Sequence, residues 1–213
     1  MDGKEKPADV RTWTDQRLIQ EYLQSRRKDL FEVLVRRHQD QVYSMCVRML
    51  GKPAVAEEVA QDVFIAVYKN LDRFRGDAKF TTWLYRVVVN HCKNKQSYLI
   101  RRKTDRHDSM DQGKETEEGE MKRELPSPNI GPEKASLQLE RHRILEAGLQ
   151  QLSDDQRNII VMRDLRGMPY DEIAEILEVA EGTVKSRLHR ARAALKTKVG
   201  RVLASLGEAR SEA

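Results

Sequence analysis

Two cysteines in 213 residues, 6% aromatics and no apolar run long enough to cross a bilayer leave few chemistries open to this chain. Cys46 and Cys92 form no C-x-x-C pair, and each falls among apolar residues at helical spacing. They are expected to be reduced core thiols rather than a disulfide or metal ligands. Without a run of about 18 apolar residues there is no spanning helix. The segment Met1 to Lys28 is polar and charged, unlike a signal peptide, so a soluble, cytoplasmic protein is expected. The five histidines are scattered, His91 beside Cys92 has no recognisable ligand partners, and no glycine-rich phosphate loop appears. No metal, cofactor or catalytic centre is expected, which ranks a nucleic-acid enzyme last.

Charge is what the chain has in quantity: 34% of residues, with a formal net charge of +5. It is unevenly placed. Lys185 to Arg201 is almost purely basic and Asp105 to Glu124 mainly acidic. Around these runs the apolar residues follow a helical period. Phe31, Leu34, Val35, Val42, Cys46 and Met49 mark a helix over 29–50 that ends at Gly51-Lys52-Pro53. Ala60, Val63, Phe64, Val67 and Leu71 mark a second, closing near Phe74. FTTWLYRVVVNHCKNK is the third, with Thr81 or Thr82 to cap it and Phe80, Leu84, Val87, Val88 and Cys92 on its apolar side. The run Val87-Val88-Val89 has no partner strand nearby, so the flanking helical period decides. From Thr104 to Lys134 the period disappears among acidic residues, glycines and three prolines, predicting a disordered linker. Fully stretched, it would reach on the order of 100 Å.

A second unit begins near Ala135. Leu137, Ile144, Leu145, Leu149 and Leu152 suggest one helix, and Ser153 with Gln156 forms a capping-box pattern for the next, over 154–165. MPYDEIAEILEVAEGTVKSRLHRARAAL then has the form of two helices joined tightly. Ile173, Ala174, Ile176 and Leu177 line the first; Val184, Leu188, Ala191 and Leu195 give the second a stripe about 17 Å long. Lys185, Ser186, Arg187, His189, Arg190, Arg192 and Lys196 lie off that stripe. A helix-turn-helix accounts for these positions, since its second helix enters the major groove where Arg and Lys donate to guanine and phosphate. A solvated basic face on an ordinary helix is the bland alternative, and the motif alone favours DNA binding only modestly. Glu178 stands where a turn glycine is common, and Ala180 where a serine or proline often begins the recognition helix.

These motifs in this order resemble the extracytoplasmic-function group of bacterial sigma factors. AEEVAQDVFIAVYKNLDRFRGDAKFTTWLYRVVVNHCKN is similar to the family's region 2, and LPSPNIGPEKASLQLERHRILEAGLQQLSDDQRNIIVMRDLRGMPYDEIAEILEVAEGTVKSRLHRARAAL to the end of its linker plus region 4. The resemblance implies an all-α fold of two small helical domains joined by a flexible linker, the second ending in a helix-turn-helix. It divides the chain into a tail (1–14), region 2 (15–103), an acidic linker (104–134), region 4 (135–206) and a short C-terminal tail (207–213).

The resemblance also implies roles. Residues 58–71 match the element that binds the clamp of core RNA polymerase, with Glu58, Gln61 and Asp62 as its polar positions; acidic side chains there suit a basic helical partner. The third helix matches the part that opens the minus-ten element and captures an unstacked base. Asn90 is the base-reading position, because an amide offers both donor and acceptor. Trp83 and Tyr85 suit base stacking, although Trp83, three residues after Phe80, fits the core equally well. Lys93, Lys95, Arg101, Arg102 and Lys103 suit phosphate contacts. Lys185, Ser186, His189 and Arg190 match positions facing the minus-thirty-five element, with Arg187 and Arg192 on the same basic helix. Core polymerase, promoter DNA and an anti-sigma protein are the implied partners, and no enzyme activity is implied. A stand-alone helix-turn-helix repressor is the competing function; it would have no use for the polymerase-binding element.

Overall fold

The computed structural model describes residues 9–108 and 132–211, and every regular element among them is helical. The centre of the expected linker lies outside the described residues. The first unit comprises α1 (Asp15–Ser25), α2 (Lys28–Leu50), α3 (Pro53–Asn70) and α4 (Phe80–Asp108). The second comprises α5 (Pro132–Gln150), α6 (Asp154–Ile160), α7 (Tyr170–Leu177) and α8 (Glu181–Ser211). Two helical domains are thus present, as expected.

The helices form where the apolar stripes place them. Val63, Val67 and Leu71 from α3 and its end, Leu84, Val88 and Cys92 from α4, and Leu34, Val42 and Met49 from α2 are buried in one core. Val87 to Val89 lie within α4. Sequence distance is misleading for the cysteines: α2 and α4 bring the Cys46 and Cys92 sulfurs to 3.9 Å, both as buried free thiols. The Cys46 contact and burial push the Cys92 thiol up, away from reactivity. The start of α4 differs from expectation. The amides of Thr82 and Trp83 donate to the carbonyl of Lys79, so Thr81 and Thr82 lie inside the first turn and neither caps it.

The tail before α1 is tied down. Val10–Thr12 form a single 3-10 turn, and Val10 and Trp13 pack on the core. Thr14 caps α1 by accepting from the Arg17 amide. Asp15 then reaches α2, where it accepts from Arg37 and pairs with the His38 Nε2 at 2.9 Å.

In the second unit Ser153 and Gln156 form the expected capping box, in which the Ser153 amide donates to Gln156 Oε1. Beyond Ile160 the helix continues to Leu165 as a π turn, closed by the Arg166 amide on the Val161 carbonyl. α5 and α8 approach closely at Gly148, where a Cβ would lie 2.6 Å from the Val199 side chain.

The two units meet at the end of α2. A helix end leaves carbonyls without intrahelical partners, and here the second unit supplies donors. Gly51, at φ +74°, terminates α2. The Gln150 amide nitrogen donates to the Arg48 carbonyl at 3.3 Å, and Arg157 Nη1 to the Met49 carbonyl at 2.8 Å. The positive φ at Gly51 favours glycine, and a Cβ there would lie 2.1 Å from Gln150 Oε1, so it would also push the Gln150 side chain off its present position. Arg157, only 7% exposed, also donates to the carbonyls of Leu149, Gln150 and Leu152 and pairs with Asp154 at 3.1 Å. One guanidinium therefore sits at the negative ends of both α2 and α5, which compensates for its burial. Beside it Gln96 of α4 and Asn158 of α6 exchange amide hydrogen bonds at 3.4 and 3.3 Å.

Candidate nucleic-acid and polymerase interfaces

α8 presents its basic side chains outward because its other side is anchored. Val184, Leu188 and Ala191 are fully buried, and Leu195 is half-buried. α7 packs across this stripe with Ile173 and Ile176. Glu178 takes the left-handed conformation (φ 55°, ψ 45°) that the connection demands. Ala180 stands before Glu181 and accepts the first amides of α8, from Thr183 and Val184, with no side chain able to cap them.

Lys185, Ser186, Arg187, His189 and Arg190 are all exposed along α8. They are not equally free. The Ser186 hydroxyl donates back to the Thr183 carbonyl, and Lys185 lies 2.7 Å from Glu181 and over the Tyr170 ring. Arg192 forks onto both carboxylate oxygens of Asp164, which fixes it against the π turn. Arg187 and Arg190 flank a shallow cavity of about 330 Å³ with Asp155, Gln156 and Ile159.

On the first unit, Glu58, Gln61 and Asp62 are exposed on one side of α3. The structure adds two residues to that line. Ile65 and Tyr68, at helical spacing from Gln61, are 51% and 47% exposed. Helix periodicity could have singled them out, because both fall off the buried Val63–Val67 stripe while being apolar. A groove of about 360 Å³ runs between α3 and α4, lined by Glu58, Asp62, His91, Asn94, Lys95 and Tyr98. Lys95 donates to both oxygens of Glu58, at 2.7 and 2.8 Å, so it serves this groove and is not a free phosphate contact.

The minus-ten candidates on α4 divide. Asn90, Arg101 and Arg102 are exposed, and Lys93 is half-exposed. Trp83 is half-buried in a ring cluster with Phe74 and Phe80, at centroid separations of 5.7 and 6.0 Å. Tyr85 is half-buried too, its hydroxyl donating to Gln41 Oε1 at 2.8 Å. Burial pushes its phenol up, against the nearby Arg166 charge. The cover comes from α7: Arg86 donates to the Glu175 carboxylate at 2.7 Å and to its carbonyl at 3.3 Å, and Lys79 pairs with Glu172 at 3.1 Å. Among the described residues no group of acidic, histidine and cysteine side chains is arranged to hold a metal ion, and no helix is long and apolar enough to cross a membrane.

Residues 34–106 match the family Sigma-70 region 2, and residues 142–195 match Sigma-70, region 4. The ECF RNA polymerase sigma-E factor of Escherichia coli K12 is 38% identical over 189 residues, covering 87% of this chain and 94% of its own. The solved structure of CnrH in complex with the cytosolic domain of CnrY is similar at 25% identity and a TM-score of 0.59, over 88% of this chain and 97% of that one. The sigma factor RpoE solved with the anti-sigma factor NepR from Bartonella quintana shares the fold, with a TM-score of 0.60 at 22% identity over 80% of this chain and 96% of that one. An acidic and apolar α3, an α4 with exposed cations and a basic α8 thus occur in a chain that aligns with sigma factors along most of its length. It belongs to the ECF RNA polymerase sigma factors of the sigma-70 family.

Proposed function

We propose that this sigma factor divides its work among three surfaces. The first domain, over 15–103, docks to core RNA polymerase through Glu58, Gln61, Asp62, Ile65 and Tyr68 of α3. It holds the opened minus-ten strand along α4, with Asn90 reading a base, Trp83 and Tyr85 beside it, and Lys93, Arg101 and Arg102 on phosphates. The second domain, over 135–206, sets α8 in the major groove of the minus-thirty-five element through Lys185, Ser186, Arg187, His189 and Arg190. Arg192 holds the recognition helix to Asp164 and reaches phosphate from that position.

The observation that carries this reading is the pairing of an exposed acidic and apolar α3 with an exposed basic α8 in separate domains. A repressor acting alone would have no need of the first surface. The residues between the domains, expected as a linker, let both engage one promoter; tethering raises the effective concentration of each. The chain supplies recognition while bond formation belongs to the polymerase, so it has no catalytic centre of its own. It works in the cytoplasm, with the polymerase. The likeness to CnrH, solved with the cytosolic domain of another protein, supports control by a bound anti-sigma protein.

Competition for core polymerase tests the docking surface. Asp62→Lys should weaken displacement of a labelled reference sigma factor by at least about tenfold, the effect of roughly 1.4 kcal/mol at a charged contact. Undiminished competition by a folded Asp62→Lys chain overturns the assignment.

A further inference from the structure

We propose that Lys95 is a cation shared between two partners, held by Glu58 in the free chain and passed to promoter phosphate when a basic side chain of core polymerase takes Glu58. This rests on the reading of α3 as the docking surface. The ammonium of Lys95 donates to both oxygens of Glu58, at 2.7 and 2.8 Å, and lies 5.7 Å from the centre of the Tyr98 ring. A carboxylate and an aromatic face together make a socket for a cation, and here the chain fills it from its own α4. The socket belongs to the groove between α3 and α4, where Asp62 places a second carboxylate beside the single lysine. Among the described residues no ion pair neutralises Asp62, so the groove keeps negative charge that attracts a further cation.

The two sides of the pair differ in exposure. The Glu58 side chain is 58% exposed and that of Lys95 20%, so an approaching partner meets the carboxylate first. Water competes for both charges of such a pair and leaves it weak. A planar guanidinium that forks onto Glu58 and stacks on Tyr98 outcompetes an ammonium in the same place. The displaced ammonium has a second partner within reach. Lys95 and Arg102 stand seven residues apart, two turns, and so on one side of α4, about 10 Å from each other along the helix axis. Arg102 is exposed and is the phosphate contact proposed for this part of α4. The flexible four-carbon stem swings the freed ammonium out of the groove to that line, adding one phosphate contact only after Glu58 has been taken. A single side chain thereby couples docking to strand holding within the first domain. The coupling is reciprocal, so DNA that holds Lys95 favours docking by the same factor.

Zero-length carbodiimide coupling of the full chain, followed by peptide mass spectrometry, reads the pair directly. Lys185 and Glu181, 2.7 Å apart in the second domain, are the internal control. The free chain should give both links, and on saturation with core polymerase the Lys95–Glu58 link should disappear while the control remains. A Lys95–Glu58 link that persists at its free-chain ratio to the control overturns the proposal. Lys95→Met, which keeps the apolar stem without the charge, separates an exchange from a merely structural pair. It should compete for core about threefold better than the natural chain, because Glu58 is then unoccupied. Its holoenzyme should bind a labelled forked promoter DNA about fivefold more weakly, with the salt slope reduced by about one. A pair that only braces α3 against α4 predicts poorer competition instead. Competition no better than that of the natural chain, or forked DNA bound equally well, overturns the proposal. Failure of the docking reading looks different: Glu58→Gln then competes for core undiminished. Failure of the exchange alone leaves Glu58→Gln impaired and the Lys95–Glu58 link intact in the complex.

Discussion

Asp15 shows how much a single side chain organises in this protein. Burial pushes its carboxyl up, but hydrogen bonds and charge from His38, and then from Arg37, outweigh burial and hold it below the ordinary value of 3.8. A depressed carboxylate stabilises the fold at pH values above its unfolded value, and that contribution is lost as pH falls through the lower folded value. Asp15→Asn should cost about 2 kcal/mol in urea denaturation at neutral pH, the scale of hydrogen bonds to a charged group. The difference from the natural chain should start to shrink below about pH 4, where the unfolded carboxyl protonates, and go on shrinking until the native carboxyl protonates at its lower value. An equal deficit at pH 3 and pH 7 would contradict this account. Glu178 is the reverse case, a residue that is locally unfavourable. Its left-handed backbone strains any side chain, so Glu178→Gly should raise stability by about 1 kcal/mol, read as a higher midpoint of denaturation. The departure from the usual turn glycine was legible in the sequence, whereas the Asp15 cluster was not. Its partners Arg37 and His38 lie more than a helix away, and nothing in their spacing marks a contact.

Elements were more legible than residues because burial imposes a period on them. The stripe from Val184 to Leu195 fixed which side of α8 faces inward, and so which cations face out. The same logic applied to α3 could have exposed Ile65 and Tyr68, but apolar residues off a stripe draw less notice than acids. Where charges make specific side-chain contacts, periodicity could not tell used from available. Lys95 and Arg192 stand at basic positions on their helices yet are held by Glu58 and Asp164. Among the described residues no carboxylate is paired with Arg190 of α8, whose Nε donates to the Ser186 carbonyl at 3.4 Å. Arg190→Ala should therefore lower use of the upstream promoter element by about tenfold, through loss of a groove contact of roughly 1–3 kcal/mol, while competition for core polymerase stays intact. Footprinting of the holoenzyme checks this, and unchanged protection of the upstream element would remove Arg190 from the interface.

At the scale of the whole molecule, the all-α class and the two domains followed from composition and pattern, but their mutual packing did not. The seam is made largely by backbone carbonyls of Arg48 and Met49 meeting Gln150 and Arg157, and a carbonyl leaves no mark in a sequence. Arg157 reads locally as an ordinary helix cation, and only the folded chain shows it at the ends of two helices. The central claim is that this chain redirects polymerase to promoters carrying two elements. The most direct measurement is transcription by purified core polymerase on genomic fragments of the host, with start sites sequenced in the presence and absence of the protein. The protein should create a new set of start sites that share two upstream motifs at fixed spacing. Start sites unchanged by the protein would contradict the claim.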